Sequence, residues 1–103
     1  MRELIKRMHE WMTRYMKSFY SDDAEVQQGI LIKEKHTGYV TANCIELAKF
    51  LKLSTHDAEL AEIIGLFHDV GRFRQYSIYK TFNDADSEDH ADLALKVIDE
   101  LEF

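Results

Sequence analysis

The chain has no proline, one cysteine and four glycines in 103 residues. Without proline nothing forces a helix to kink or stop, and so few glycines leave little turn chemistry. The lone Cys44 excludes an internal disulfide and fits a reducing compartment. No apolar run approaches the roughly 18 residues of a membrane span. The start, Met1-Arg2-Glu3-Leu4-Ile5-Lys6, lacks the apolar core of a signal peptide. The expected location is therefore the cytoplasm, with no membrane partner. Positive charge is also scarce: 13 Lys and Arg against 19 Asp and Glu give a net charge of −6. That balance argues against binding a nucleic acid polymer. It leaves room for a small phosphorylated substrate, which needs only a few local cations. No repeat or low-complexity segment is present.

What is present is helical periodicity over a 46% hydrophobic composition, enough for one core and one all-α domain spanning 1–103. About four helices are expected. The first covers 2–20, with Leu4, Met8, Trp11, Met12, Tyr15 and Phe19 as a core stripe. Asp22 with Glu25 reads as a capping pair for a second helix reaching Leu51, with a break near Gly29. Its inward face is Val40, Cys44, Leu47, Ala48 and Leu51, and His36 shares that face. Ser54 or Thr55 caps a third helix with Leu60, Ile63, Ile64 and Phe67 inward, and Gly71 suits a left-handed helix end. Residues 72–86 read as an aromatic-rich loop with a short extended piece at 76–79. Asp86 or Ser87 caps a last helix with Ala91, Ala94, Leu95 and Ile98 inward.

The chemistry concentrates at His68-Asp69. An imidazole beside a carboxylate offers mixed nitrogen and oxygen ligation to a divalent ion. Consecutive side chains on a regular helix diverge by about 100°, so a helix end suits the pair better than a helix middle. His36 upstream and His90 downstream would let three helices converge on one ion. Arg72, Arg74 and Lys80 in the following loop are candidate phosphate-binding cations. His9 and His56 read as exposed without a role, and Cys44 as a small buried hydrophobe.

His36 followed about thirty residues later by His68-Asp69 resembles the HD superfamily of metal-dependent phosphohydrolases. Gly71-Arg72-Phe73, Thr81-Phe82-Asn83-Asp84 and Asp89-His90-Ala91 extend the likeness to a branch of bacterial HD proteins, over about 24–101. The resemblance implies an HD-type helical bundle in which His36, His68 and Asp69 ligate metal. It implies that Asp69 bridges two ions if the site is binuclear. His90 then serves as an added ligand or phosphate contact, and Arg72, with Lys80, binds substrate. The ion would be divalent Mn, Fe, Co, Ni, Zn or Mg.

The implied reaction is hydrolysis of a nucleotide or other small phosphoester by metal-activated water, Asp69 and Arg72 being its catalytic residues. A non-catalytic module binding metal or nucleotide, and an HD-type di-iron oxygenase, are the alternatives. The family's last ligand, an aspartate on a later helix, has no counterpart here, since Asp92 and Asp99 do not sit where it belongs. The chain is therefore expected to be an N-terminal portion of the domain. Its uncovered apolar faces would drive homo-oligomerisation, as a helix-exchanged dimer with Ile98 and Phe103 near the contact.

Overall fold

A computed structural model describes residues 1–101, with the backbone alone for Asp86. The fold is all-α. Its elements are α1 (Arg2–Lys17), α2 (Ala24–Phe50), α3 (Thr55–Phe67), α4 (Val70–Tyr79) and α5 (His90–Asp99), with a 3₁₀ turn at Asp84–Asp86. No helix among the described residues is long and apolar enough to cross a membrane.

Three of the five helices, α2, α3 and α5, start on a capping side chain. Asp23 accepts from the backbone N–H groups of Glu25 and Val26, one residue beyond the expected Asp22. Ser54 accepts from the N–H of Asp57, as its sequence position suggested. Asp89 accepts from the N–H groups of Ala91 and Asp92, so α5 begins later than Asp86 or Ser87 would have started it. Such bonds occupy donors that a helix cannot satisfy internally.

Met12 and Met16 of α1, Ile30 of α2, Leu66 of α3, Val70 and Phe73 of α4, and Ala94 and Val97 of α5 form one core. Trp11 stacks on Tyr15 with ring centroids 4.6 Å apart at the edge of that core. The first helix therefore uses the stripe its periodicity indicated.

Four local expectations fail, each for a tertiary reason. The segment after Asp69 is a helix, not a loop with an extended piece. Burial of Val70, Phe73 and Gln75 against neighbouring elements outweighs its weak helical propensity. Gly71 does not end a helix: no glycine has positive φ, and Lys52 and Lys80 take the left-handed positions instead. An added Cβ at Gly71 would lie 2.1 Å from the His90 carbonyl oxygen and 2.6 Å from the Ala94 nitrogen, so this glycine lets α4 and α5 touch backbone to backbone. The second helix runs unbroken through Gly29, which faces the Tyr76 ring.

The fourth failure is one of phase. Leu47, Leu51, Leu60, Ile64, Leu95 and Ile98 are exposed, while Thr37, Thr41, Glu62, Leu66, Leu93 and Val97 are buried. These helices carry apolar residues on more than one face, and only packing selects between them. One consequence is an open apolar groove between Met8, Ile63, Ile64, Phe67, Ile98 and Leu101. Phe103, assigned to the same region from sequence, lies outside the described residues.

Candidate metal centre

The site is assembled where α3 gives way to α4. Helix α3 ends at Phe67, and Asp69 takes φ −115°, ψ 21°, a sparsely used bridge conformation that turns the chain into α4. This break brings adjacent side chains together: His68 Nε2 lies 3.2 Å from Asp69 Oδ2. Helix α2 supplies the next group. Gly65 packs against it so closely that a Cβ would stand 3.0 Å from Cys44 Sγ and 3.1 Å from Thr41 Cα. That approach carries His36 to the turn. His36 Nε2 is 3.1 Å from His68 Nε2 and 3.2 Å from Asp69 Oδ2.

The three ligand-type atoms thus form a nearly equilateral triangle. Metal–nitrogen and metal–oxygen distances of about 2.0–2.2 Å place neighbouring ligand atoms roughly 3.0–3.4 Å apart, so the triangle fits one ion. The proton pattern agrees. His68 Nδ1 is 2.7 Å from the Gly65 carbonyl oxygen, which can only accept. In the neutral ring the proton therefore sits on Nδ1, and the Nε2 lone pair faces His36 Nε2 and an acceptor carboxylate. His36 Nε2 can donate to either neighbour as a neutral ring or, with its proton on Nδ1, present a lone pair to an ion, and a ring such as His68 fixed through its far nitrogen is the usual arrangement for a metal-binding histidine.

The other carboxylate oxygen looks toward different groups. Asp69 Oδ1 is 3.9 Å from His90 Nε2 and 3.9 Å from Arg72 Nε. His90 is oriented from behind by Asp84, whose Oδ2 lies 2.9 Å from Nδ1. Arg72 Nη1 donates to Gln75 Oε1 at 3.0 Å, to the Phe82 carbonyl at 2.8 Å and to Asp84 Oδ1 at 3.1 Å. The fully buried Gln75 donates to Asp84 Oδ1 at 2.8 Å and to Ser87 Oγ at 2.9 Å. The His90 ring, helped by Gln75 and the His90 backbone N–H against the opposing effect of desolvation, holds the Asp84 carboxyl down at about 2. Asp84, Asp89 and His90 also lie within ligand distance of one another. There, however, Asp89 is occupied as the cap of α5 and Asp84 as the partner of three side chains.

The structure thus brings His36, His68 and Asp69 into one cluster, with His90 on its far side. Arg72 lies beside Asp69 but has Nη1 committed to three acceptors. Lys80 is the exposed left-handed cap of α4, and no hydrogen bond or ion pair of its side chain is found among the described residues. Arg74 pairs with Glu100 on the surface.

Two residues beside the cluster were given no role by the sequence reading, although Asp84 lay in the Thr81-Phe82-Asn83-Asp84 motif. Asp84 carried a faint signal, an acid six residues before His90. Lys33 carried a better one, a cation three residues before His36 on the same helix face; its Nζ is 3.9 Å from Asp69 Oδ2. His9, read as idle, binds Glu62 instead. Comparison with known protein families, curated proteins and solved structures finds no match to the chain.

Proposed function

We propose that this chain is an HD-type, metal-dependent phosphohydrolase acting on a nucleotide or another small phosphoester. The observation that carries the proposal is the His36–His68–Asp69 triangle, with the His68 Nε2 lone pair turned inward. These three residues would hold a divalent ion. Such an ion supplies an acidified water and a Lewis-acid contact to a phosphoryl oxygen. The chain's own part is to fix that arrangement. Gly65 sets the His68 tautomer, Asp84 orients His90, and the buried Asp69 offers a second oxygen toward His90. His90 would serve as an added ligand or a phosphate contact on the Asp69 Oδ1 side, and the Arg72 network ties the neighbouring turn to Gln75, Phe82 and Asp84.

The test is elemental mass spectrometry on chelator-free protein, with His68→Ala alongside, followed by hydrolysis assays on phosphoesters. About one equivalent of a transition metal or more, lost in the variant, together with metal-dependent phosphate release, is the expected result. Metal without turnover would select a non-catalytic binding module. Iron-dependent oxygen consumption would select an oxygenase. A well-folded protein that takes up no metal would overturn the proposal. Self-association through the exposed apolar groove belongs to the same proposal, and a clean monomer in sedimentation at high protein concentration would remove it.

A further inference from the structure

We infer that Lys33 is the substrate-binding cation of this centre, taking a non-bridging oxygen of a phosphoryl group over Asp69. This assignment rests on the hydrolase reading above and replaces Arg72 and Lys80 in that role. Lys33 precedes His36 by three residues on α2, so both side chains leave the same face. Its side chain is only 21% exposed, and its Nζ lies 3.9 Å from Asp69 Oδ2, the oxygen flanked by both histidines.

The ammonium is also held from the side. Nζ sits 5.0 Å above the centre of the Phe82 ring, and Phe82 stacks on Tyr76 with centroids 4.5 Å apart. A cation over an aromatic face is attracted by the ring quadrupole. Placement is therefore set by three elements: α2, α4 and the segment after it.

The other two cations are placed differently. Arg72 is anchored through Nη1 to Gln75, Phe82 and Asp84 and turns its Nε to Asp69 Oδ1, not to the oxygen between the histidines, and Lys80 is exposed at the end of α4. Lys33 stands beyond hydrogen-bond distance from Asp69, so its protons are not consumed there. A lysine ammonium is a compact charge with three rotatable donors, suited to one phosphoryl oxygen. An ammonium and a divalent ion beside the same carboxylate repel each other, and an anion lying between them removes that repulsion. A phosphoryl group is such an anion.

The experiment compares wild type, Lys33→Gln and Lys33→Arg after loading with manganese. Inorganic phosphate is titrated by calorimetry, p-nitrophenyl phosphate hydrolysis is measured, and metal content and melting temperature are recorded. Loss of one charge-assisted hydrogen bond in Lys33→Gln should raise the phosphate Kd and the KM by about tenfold or more. Metal content and melting temperature should stay at wild-type values, and Lys33→Arg should recover part of the affinity. Wild-type phosphate affinity in Lys33→Gln would overturn the assignment and leave the hydrolase reading standing. So would a loss of metal or of folding stability matching the loss of affinity, because Lys33 would then act only as a support for Asp69. A wild type that binds neither manganese nor phosphate would sink both readings together.

Discussion

Two buried carboxylates, seven residues apart in sequence, live under different rules. Glu62, with a side chain 8% exposed, is closed on all sides: both Arg2 Nη atoms lie 3.0 Å from it, and His9 Nε2 lies 2.7 Å from Oε2. Asp69, with a side chain 10% exposed, has five cationic or protonatable groups around it, yet none closer than 3.2 Å. The first carboxylate is satisfied within the chain and ties α1 to α3. The second is surrounded without being closed upon. Equal burial therefore does not mean equal purpose. Glu62 has its oxygens filled by short bonds from Arg2 and His9, whereas the groups around Asp69 stand farther off, as the metal reading proposed above requires.

The largest expected effect breaks the open carboxylate. Asp69→Ala should lower metal affinity by on the order of a hundredfold or more and abolish turnover, with helical content retained. Elemental analysis and circular dichroism check this, and a variant that stays helical with wild-type rates would eliminate the site. Next comes the backbone contact that holds His90 opposite Asp69. Gly71→Ala drives a Cβ into the His90 carbonyl and the Ala94 nitrogen, so a loss of about 3 kcal/mol or more is expected in denaturant unfolding. The Glu62 cluster is remote from that contact and should be spared.

The closed carboxylate is tested by Glu62→Gln, expected to cost about 1–3 kcal/mol because Arg2 and His9 lose a charged partner. Hydrogen bonds from Arg2, and then from His9, hold the Glu62 carboxyl below its ordinary range, opposed by desolvation. Its stabilisation is thus fully present above the unfolded carboxyl value of about 4.3 and is lost as the pH falls through the lower folded value. Wild type should lose stability on acidification that Glu62→Gln does not lose, a difference visible in paired melting curves. The smallest effect sharpens the contrast. Asp69→Asn in metal-free protein should cost under about 1 kcal/mol, less than Glu62→Gln, because its contacts are longer. A larger loss would make Asp69 another structural ion pair.

How much of this was legible differs by residue. His36, His68 and Asp69 stood out because ligand-type side chains recur at a helix end and on the preceding helix, and these three converge. The value of His90 was visible, but its orienting partner Asp84 was not, since nothing in a short acidic stretch marks which carboxylate turns inward. Arg72 was legible as a cation near the site. Its commitment to Gln75, Phe82 and Asp84 was not, because it depends on how residues 70–90 fold back on themselves. Glu62 was invisible, one of three acids on α3, until α1 brought Arg2 and His9 to it.

The sequence by itself determined an all-α chain, the first helix's core stripe, the Ser54 cap and the ligand-type residues of the candidate centre. These depend on short-range periodicity and side-chain chemistry, which neighbours along the chain carry in full. Only the tertiary structure decided that 70–79 is helical, which faces of α2, α3 and α5 turn inward, and which cations stand beside Asp69. Each of those outcomes is a competition between distant surfaces for the same space, and Gly65 and Gly71 settle two of them by allowing backbones to touch.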